Sequence, residues 1–175
     1  MTHRVLISFG TDHRRFTRMK EMVIAAFAAG TFDDCDVTIQ HGATGPVLAT
    51  RTASSSTNVE ELRQVGPAAF EAMVAASDVM IASGGPGAVR VAHAAGTPVI
   101  AVPRRVALDE AASDHQWEFC RVLASRNSVL LADDTATLIA AFTEALAADF
   151  AGLVDARLGE FDPAKLEAAV RGPTK

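Results

Sequence analysis

The sequence predicts an α/β fold, a parallel sheet with helices on both faces. Short β-branched runs alternate with longer stretches whose apolar residues recur every three or four positions. The helical stretches are also long enough to serve as the right-handed crossovers that join parallel strands.

Residues 5–8 (VLIS) read as the first strand. Phe16, Met19, Val23 and Phe27 then fall on one helical face, and that helix ends near Gly30. Residues 36–40 form a second strand, with 47–50 the candidate third. Residues 52–58 (TASSSTN) are a polar loop by composition, either a solvated connection or a loop that closes over ligand.

Pro67 opens a helix with Phe70, Met73 and Val74 inward, its fixed φ suiting the first turn. Residues 78–82 are a strand. Residues 87–95 are a helix closed by Gly96, and 98–102 a strand stopped by Pro103. Residues 115–125 read as a helix and 129–131 as a strand. Leu138, Ile139, Phe142 and Leu146 line a further helix capped by Asp134 or Thr135. A tail holds one short helix at 163–170. The expected organisation is thus a ligand-binding domain over 1–150 and a tail over 151–175.

Of the 175 residues, 49% are apolar and 21% charged, an ordinary globular balance with a formal net charge of −5. That charge argues against a protein that works on nucleic acid, which would need a basic face. Cys35 and Cys120 are far apart and read as buried, reduced thiols. Neither a targeting segment nor an apolar run of membrane-spanning length is visible. The expectation is a cytoplasmic chain, which a partner could bring to the inner face of a membrane.

Parallel sheets bind ligands at the carboxyl ends of their strands, so the informative residues follow Ser8, Ala82 and Val102. After the strand ending at Ala82, Ser83-Gly84-Gly85-Pro86-Gly87 opens a helix. Glycines allow close approach, and the helix mouth offers free N–H groups that suit a diphosphate. The same glycines would serve a tight structural turn. The segment is neither the GxGxxG fingerprint nor a Walker A loop.

After Val102 come Arg104 and Arg105, Glu110, and then Asp114-His115-Gln116 at a helix start. Asp114 could cap that helix; His115 and Gln116 offer groups of the kind that read sugar hydroxyls. Gly10 and Thr11 follow the first strand, where Gly10 gives a tight turn and Thr11 could reach a phosphate.

Read together, these segments resemble the C-terminal domain of glycosyltransferase family 28 over roughly residues 5–146. Ser8-Phe9-Gly10-Thr11 with Phe16 is similar to the family's opening VGT–F, and Gln40-His41-Gly42 to its Q-x-G turn. Ala76 to Ile81 with Gly84-Gly85-Pro86-Gly87 resembles its AD-hydrophobic-x-GxG segment. Gly96 to Arg104 resembles GxPxIxVPR, and Glu110 with Asp114-His115-Gln116 resembles E…DHQ.

The resemblance implies a Rossmann-like half of a GT-B glycosyltransferase. In size and motif the chain is most similar to free-standing small subunits of the exopolysaccharide and dolichol-linked N-acetylglucosaminyl types. Such a subunit binds a UDP-sugar and moves a hexose or N-acetylhexosamine, with inversion and without metal or cofactor. The lipid-linked acceptor belongs to a membrane-anchored partner subunit. The implied catalytic residue is His115. The implied donor-binding residues are Gly10, Thr11, Gly84, Gly85, Gly87, Arg104, Glu110, Asp114 and Gln116.

Two positions depart from the family. Val91 stands where an acidic residue holds the ribose, and Ser83 where His is common. They keep open an alternative, a catalytically degenerate sugar-nucleotide-binding companion. A UDP-sugar 2-epimerase-like hydrolase would need a second domain, and a receiver-like domain would need acids after the first strand.

Overall fold

A computed structural model of the chain describes residues 2–48 and 57–147. The expected tail over 151–175 lies outside the described residues. Among the described residues six parallel strands form one sheet in the order β3-β2-β1-β4-β5-β6. They are β1 (His3–Ser8), β2 (Cys35–Gln40), β3 (Asn58–Leu62), β4 (Val79–Ala82), β5 (Val99–Ala101) and β6 (Leu130–Leu131). The helices are α1 (Thr17–Ala28), α2 (Pro67–Ala75), α3 (Pro86–Ala95), α4 (His115–Ser125) and α5 (Thr135–Ala147).

Side chains alternate across a strand, so each strand feeds two cores. Val5, Ile7, Val37, Ile39, Val79 and Ile81 pack with Phe16 at the entry to α1, Met19 and Val23 of α1, and Leu138 and Phe142 of α5. Leu6, Met80, Ala82, Val99 and Ala101 face the other way, onto Val74 of α2, Val89 and Ala92 of α3, and Phe119 and Leu123 of α4. Both faces are covered, as a parallel sheet requires.

The third strand is not at 47–50. Residues 47 and 48 are outside any strand, and 49 and 50 lie outside the described residues. The strand is Asn58–Leu62, paired with β2 from Asp36↔Asn58 to Gln40↔Leu62. Its sequence, NVEEL, is polar because it forms the sheet edge, where charged side chains discourage further pairing. Glu61 accepts hydrogen bonds from the amides of Val47 (2.6 Å) and Leu48 (2.8 Å), so the apolar pair tucks in as a loop. Asn58 therefore belongs to a strand, not to the polar loop.

Asp134 is the cap of α5, taking the Thr137 amide at 2.8 Å. That hydrogen bond also pulls its carboxyl below the usual range. Cys35 and Cys120 are buried and free. Among the described residues no helix is long and apolar enough to cross a membrane.

Candidate functional site

The strand order reverses between β1 and β4: β1 leads outward to β2 and β4 leads outward to β5. Crossovers diverge there, and the gap they leave at the carboxyl ends is where such sheets take ligands. A cleft of about 630 Å³ occupies this point, within the ordinary range for a small-molecule site.

One wall comes from the β1 exit, with Gly10, Thr11 and Asp12, over a floor of Ser8 and Gln40. The Ser8 hydroxyl donates to Gln40 Oε1 at 2.9 Å and accepts the Gly10 amide at 3.3 Å, fixing the turn. Gly42 presses against this turn from below. A Cβ there would lie 2.6 Å from the Gly10 carbonyl oxygen, which accounts for glycine at that position.

The opposite wall is the start of α3. Gly85 is the N-cap residue, Pro86 the first helical residue, and no side chain caps the helix. Pro86 has no N–H to lose, so the first-turn amides of Gly87 and Ala88 are left for a ligand. Gly85, Gly87 and Ala88 all line the cleft. A Cβ on Gly85 or Gly87 would meet nothing within 4 Å.

Gly84 does not line the cleft. Its φ is +73°, and a Cβ there would stand 2.6 Å from Cys120 Sγ and 3.3 Å from Pro103 Cα. The Cys120 thiol, pushed up to about 12 by burial, donates to the Gly84 carbonyl oxygen at 3.4 Å. Gly84 thus makes close packing between α4 and the turn.

The back of the cleft holds Arg104, only 1% exposed. Its guanidinium donates to the carbonyl oxygens of Glu110 (3.2 Å), Phe9 (3.3 Å) and Arg15 (3.4 Å) and stacks over the Phe16 ring at 4.4 Å. Among the described residues no carboxylate reaches ion-pair distance of it. Burial lowers its proton affinity, opposed by the fields of Asp12 and Glu110. A buried cation held only by carbonyls retains attraction for an anion.

Gln116 also lines the cleft. Its Oε1 accepts the Arg104 amide at 3.4 Å, which leaves the NH₂ group to donate elsewhere. Asp114 does not cap α4: its Oδ1 accepts the Val106 amide at 2.9 Å. His115 is exposed as the first residue of α4 and is not among the lining residues. Glu110 lies under the cleft, 5% exposed, bonded to Arg18 and to the Arg105 amide.

Of the ten residues expected from the sequence, the cleft therefore gathers Gly10, Thr11, Gly85, Gly87, Arg104 and Gln116. It leaves Gly84, Glu110, Asp114 and His115 behind or beside it. Gln64, Val65, Phe70 and Glu71 line its far end and were not expected. They follow β3, and once 58–62 is seen to be a strand its exit becomes the place to look. Arg90 and Val91 line the cleft from α3. Among the described residues no group of three His, Cys, Asp or Glu side chains is placed to hold a metal ion.

No protein-family model matches the chain, and no match is found among curated proteins. Solved structures do match. The glycotransferase of kitacinnamycin superposes with a TM-score of 0.69 at 21% identity, over 97% of this chain and 41% of that one. MurG from Acinetobacter baumannii gives 0.68 at 16% identity, over 98% and 50%. The Streptomyces sp. SF2575 glycosyltransferase SsfS6, solved with thymidine diphosphate, gives 0.55 at 18%, over 97% and 40%. The chain thus spans at most half the length of these proteins. It folds as one Rossmann-like domain of the GT-B glycosyltransferase fold.

Proposed function

We propose that the chain binds the donor, a UDP-sugar, for an inverting glycosyl transfer that uses no metal. The observation that carries this is the pairing of Arg104 with the uncapped start of α3 across one cleft. Two sources of positive potential, a buried guanidinium and a helix mouth, converge where a diphosphate would lie.

In such a transfer an acceptor oxygen attacks the anomeric carbon as the bond to the diphosphate breaks. A base takes the acceptor's proton. Negative charge grows on the leaving diphosphate, and the Gly87 and Ala88 amides with Arg104 stabilise it. Each such group in a water-excluded site contributes about 1–4 kcal/mol. Gln116, with His115 beside it, faces the sugar. The nucleoside extends toward Gln64 and Phe70.

The acceptor half is supplied by a partner, which also provides membrane attachment and the base. Support comes from the motifs, Gly96 to Arg104 and Glu110 with Asp114-His115-Gln116, which resemble those of free-standing small donor subunits. SsfS6 was solved with thymidine diphosphate, which supports a pyrimidine nucleoside diphosphate at this kind of cleft.

A second reading is a companion subunit that binds the nucleotide without catalysing transfer. The exposed position of His115 and the apolar Val91 in the cleft favour it.

Thermal shift with UDP, UDP-glucose, UDP-N-acetylglucosamine, dTDP, AMP and NAD tests the donor reading. Stabilisation by the UDP compounds and not by AMP or NAD is expected, and equal response to all six would sink it. His115→Ala in the chain reconstituted with its partner separates the two readings. Loss of transfer with retained UDP binding fits the catalytic subunit, and unchanged transfer removes His115 from the chemistry.

A further inference from the structure

We propose that Arg18 and Glu110 are positioning residues that fix Arg104 for the donor's diphosphate without touching the donor. The inference rests on the donor-site reading above.

Arg18 lies on the first turn of α1, 92 positions before Glu110. Its Nε donates to Glu110 Oε1 at 3.0 Å and its Nη2 to Oε2 at 2.9 Å, a two-pronged pair that a planar fork favours. Both side chains are largely buried, 19% and 7% exposed. Arg18 also donates to the Pro103 carbonyl oxygen at 2.7 Å and to the Asp133 carbonyl oxygen at 3.0 Å. Glu110 Oε2 additionally accepts the Arg105 amide at 3.1 Å.

Pro103 is held through its carbonyl by Arg18, and Arg105 through its amide by Glu110. The Glu110 carbonyl, in turn, takes a guanidinium N–H of Arg104. Among the described residues Arg104 has no carboxylate partner, so its place is set by this backbone together with the Phe9 and Arg15 carbonyls and the Phe16 ring.

The charges fit the same reading. Three guanidinium groups, Arg18, Arg104 and Arg105, sit with two carboxylates, Glu110 and Asp133. Arg18 is paired to Glu110 and Arg105 to Asp133. The uncompensated charge belongs to Arg104, the one of the three that lines the cleft.

The test measures UDP and uridine binding to the full chain by ¹⁵N shift titration, for wild type, Glu110→Gln and Arg18→Lys. Simple electrostatics predicts that removing the Glu110 charge tightens UDP. Positioning predicts the opposite: UDP binding falls about tenfold or more in both variants while uridine binding is unchanged. The fall should disappear when either change is made in an Arg104→Met background. Should Glu110→Gln fail to fold, Glu110→Asp is compared in the same way. Unchanged or tighter UDP binding overturns the inference, as does a fall that persists without Arg104. A wild type that ignores UDP overturns the donor reading itself, an outcome distinct from a binding wild type with indifferent variants.

Discussion

The guanidinium of Arg104 stacks 4.4 Å from the centre of the Phe16 ring, at the back of the cleft between β1 and β4. Phe16 is fully buried at the entry to α1. A cation on an aromatic face keeps its charge while losing much of its water. That is the state in which a guanidinium attracts a phosphate most strongly.

Arg104→Met should separate folding from binding. With no carboxylate within ion-pair distance among the described residues, removing the charge leaves no anion stranded, and an apolar side chain of similar length fills the space. The carbonyl oxygens of Phe9, Arg15 and Glu110 lose a donor, so a loss of about 1–3 kcal/mol without unfolding is expected. UDP affinity is expected to fall by about ten- to a hundredfold, the worth of a lost charge-assisted contact. Calorimetry reads both. A variant that binds UDP as wild type does would remove Arg104 from the site.

Two glycines of one turn should behave differently. Gly84→Ala places a methyl 2.6 Å from Cys120 Sγ at a φ of +73°, and is expected to cost about 1–3 kcal/mol of stability. Gly87→Ala meets nothing within 4 Å of the protein. Its methyl enters the cleft, so stability should change little while UDP binding weakens. Denaturant unfolding and nucleotide titration of the two variants check the contrast.

This pair also shows where sequence reading reaches its limit. The strand–glycine–helix pattern at 78–95 was legible because apolar period, glycine and proline agree on one local structure. Which glycine lines the cleft was not, because Gly84 is set apart by its φ of +73° and by the distant Pro103 and Cys120 packed against it. The edge strand Asn58–Leu62 was hidden by its glutamates, since an exposed edge carries no apolar signature. Glu110 carried a motif's expectation of ligand contact, and its actual neighbour, Arg18, lies 92 positions away. A cation between the buried Phe16 and Met19 was the one local sign that something acidic must meet it.

Cys120 should resist alkylation in the folded protein and react on unfolding. Burial raises its folded value from 9.0 to about 12. Below pH 9 the thiol is neutral folded or unfolded, and its contribution to stability is constant. Between about pH 9 and 12 the unfolded chain loses the proton and the folded chain keeps it. Stability therefore declines as pH rises, by about 1.4 kcal/mol per unit at most. Cys120→Ser should flatten that alkaline decline; an identical pH profile would contradict the assignment.

His93 should act at the acid end. It is buried in α3, its Nε2 donating to the Ser128 carbonyl oxygen at 2.8 Å and its Nδ1 without a partner among the described residues. Burial lowers its folded proton affinity below the ordinary 6.5, opposed by the Ser128 bond. The unfolded chain then binds the proton first, so stability is present above about pH 6.5 and is lost as pH falls through the depressed folded value. His93→Gln should lessen this acid sensitivity in urea unfolding between pH 5 and 7.

On the proposed function, the amides at the start of α3 hold a nucleoside diphosphate. The most direct measurement is a ¹⁵N–¹H titration of the chain with UDP, following the Gly87 and Ala88 amides. Saturable downfield shifts at these two residues, with little change at Gly84, are the predicted result. Shifts confined to other parts of the molecule, or none at saturating UDP, would contradict it.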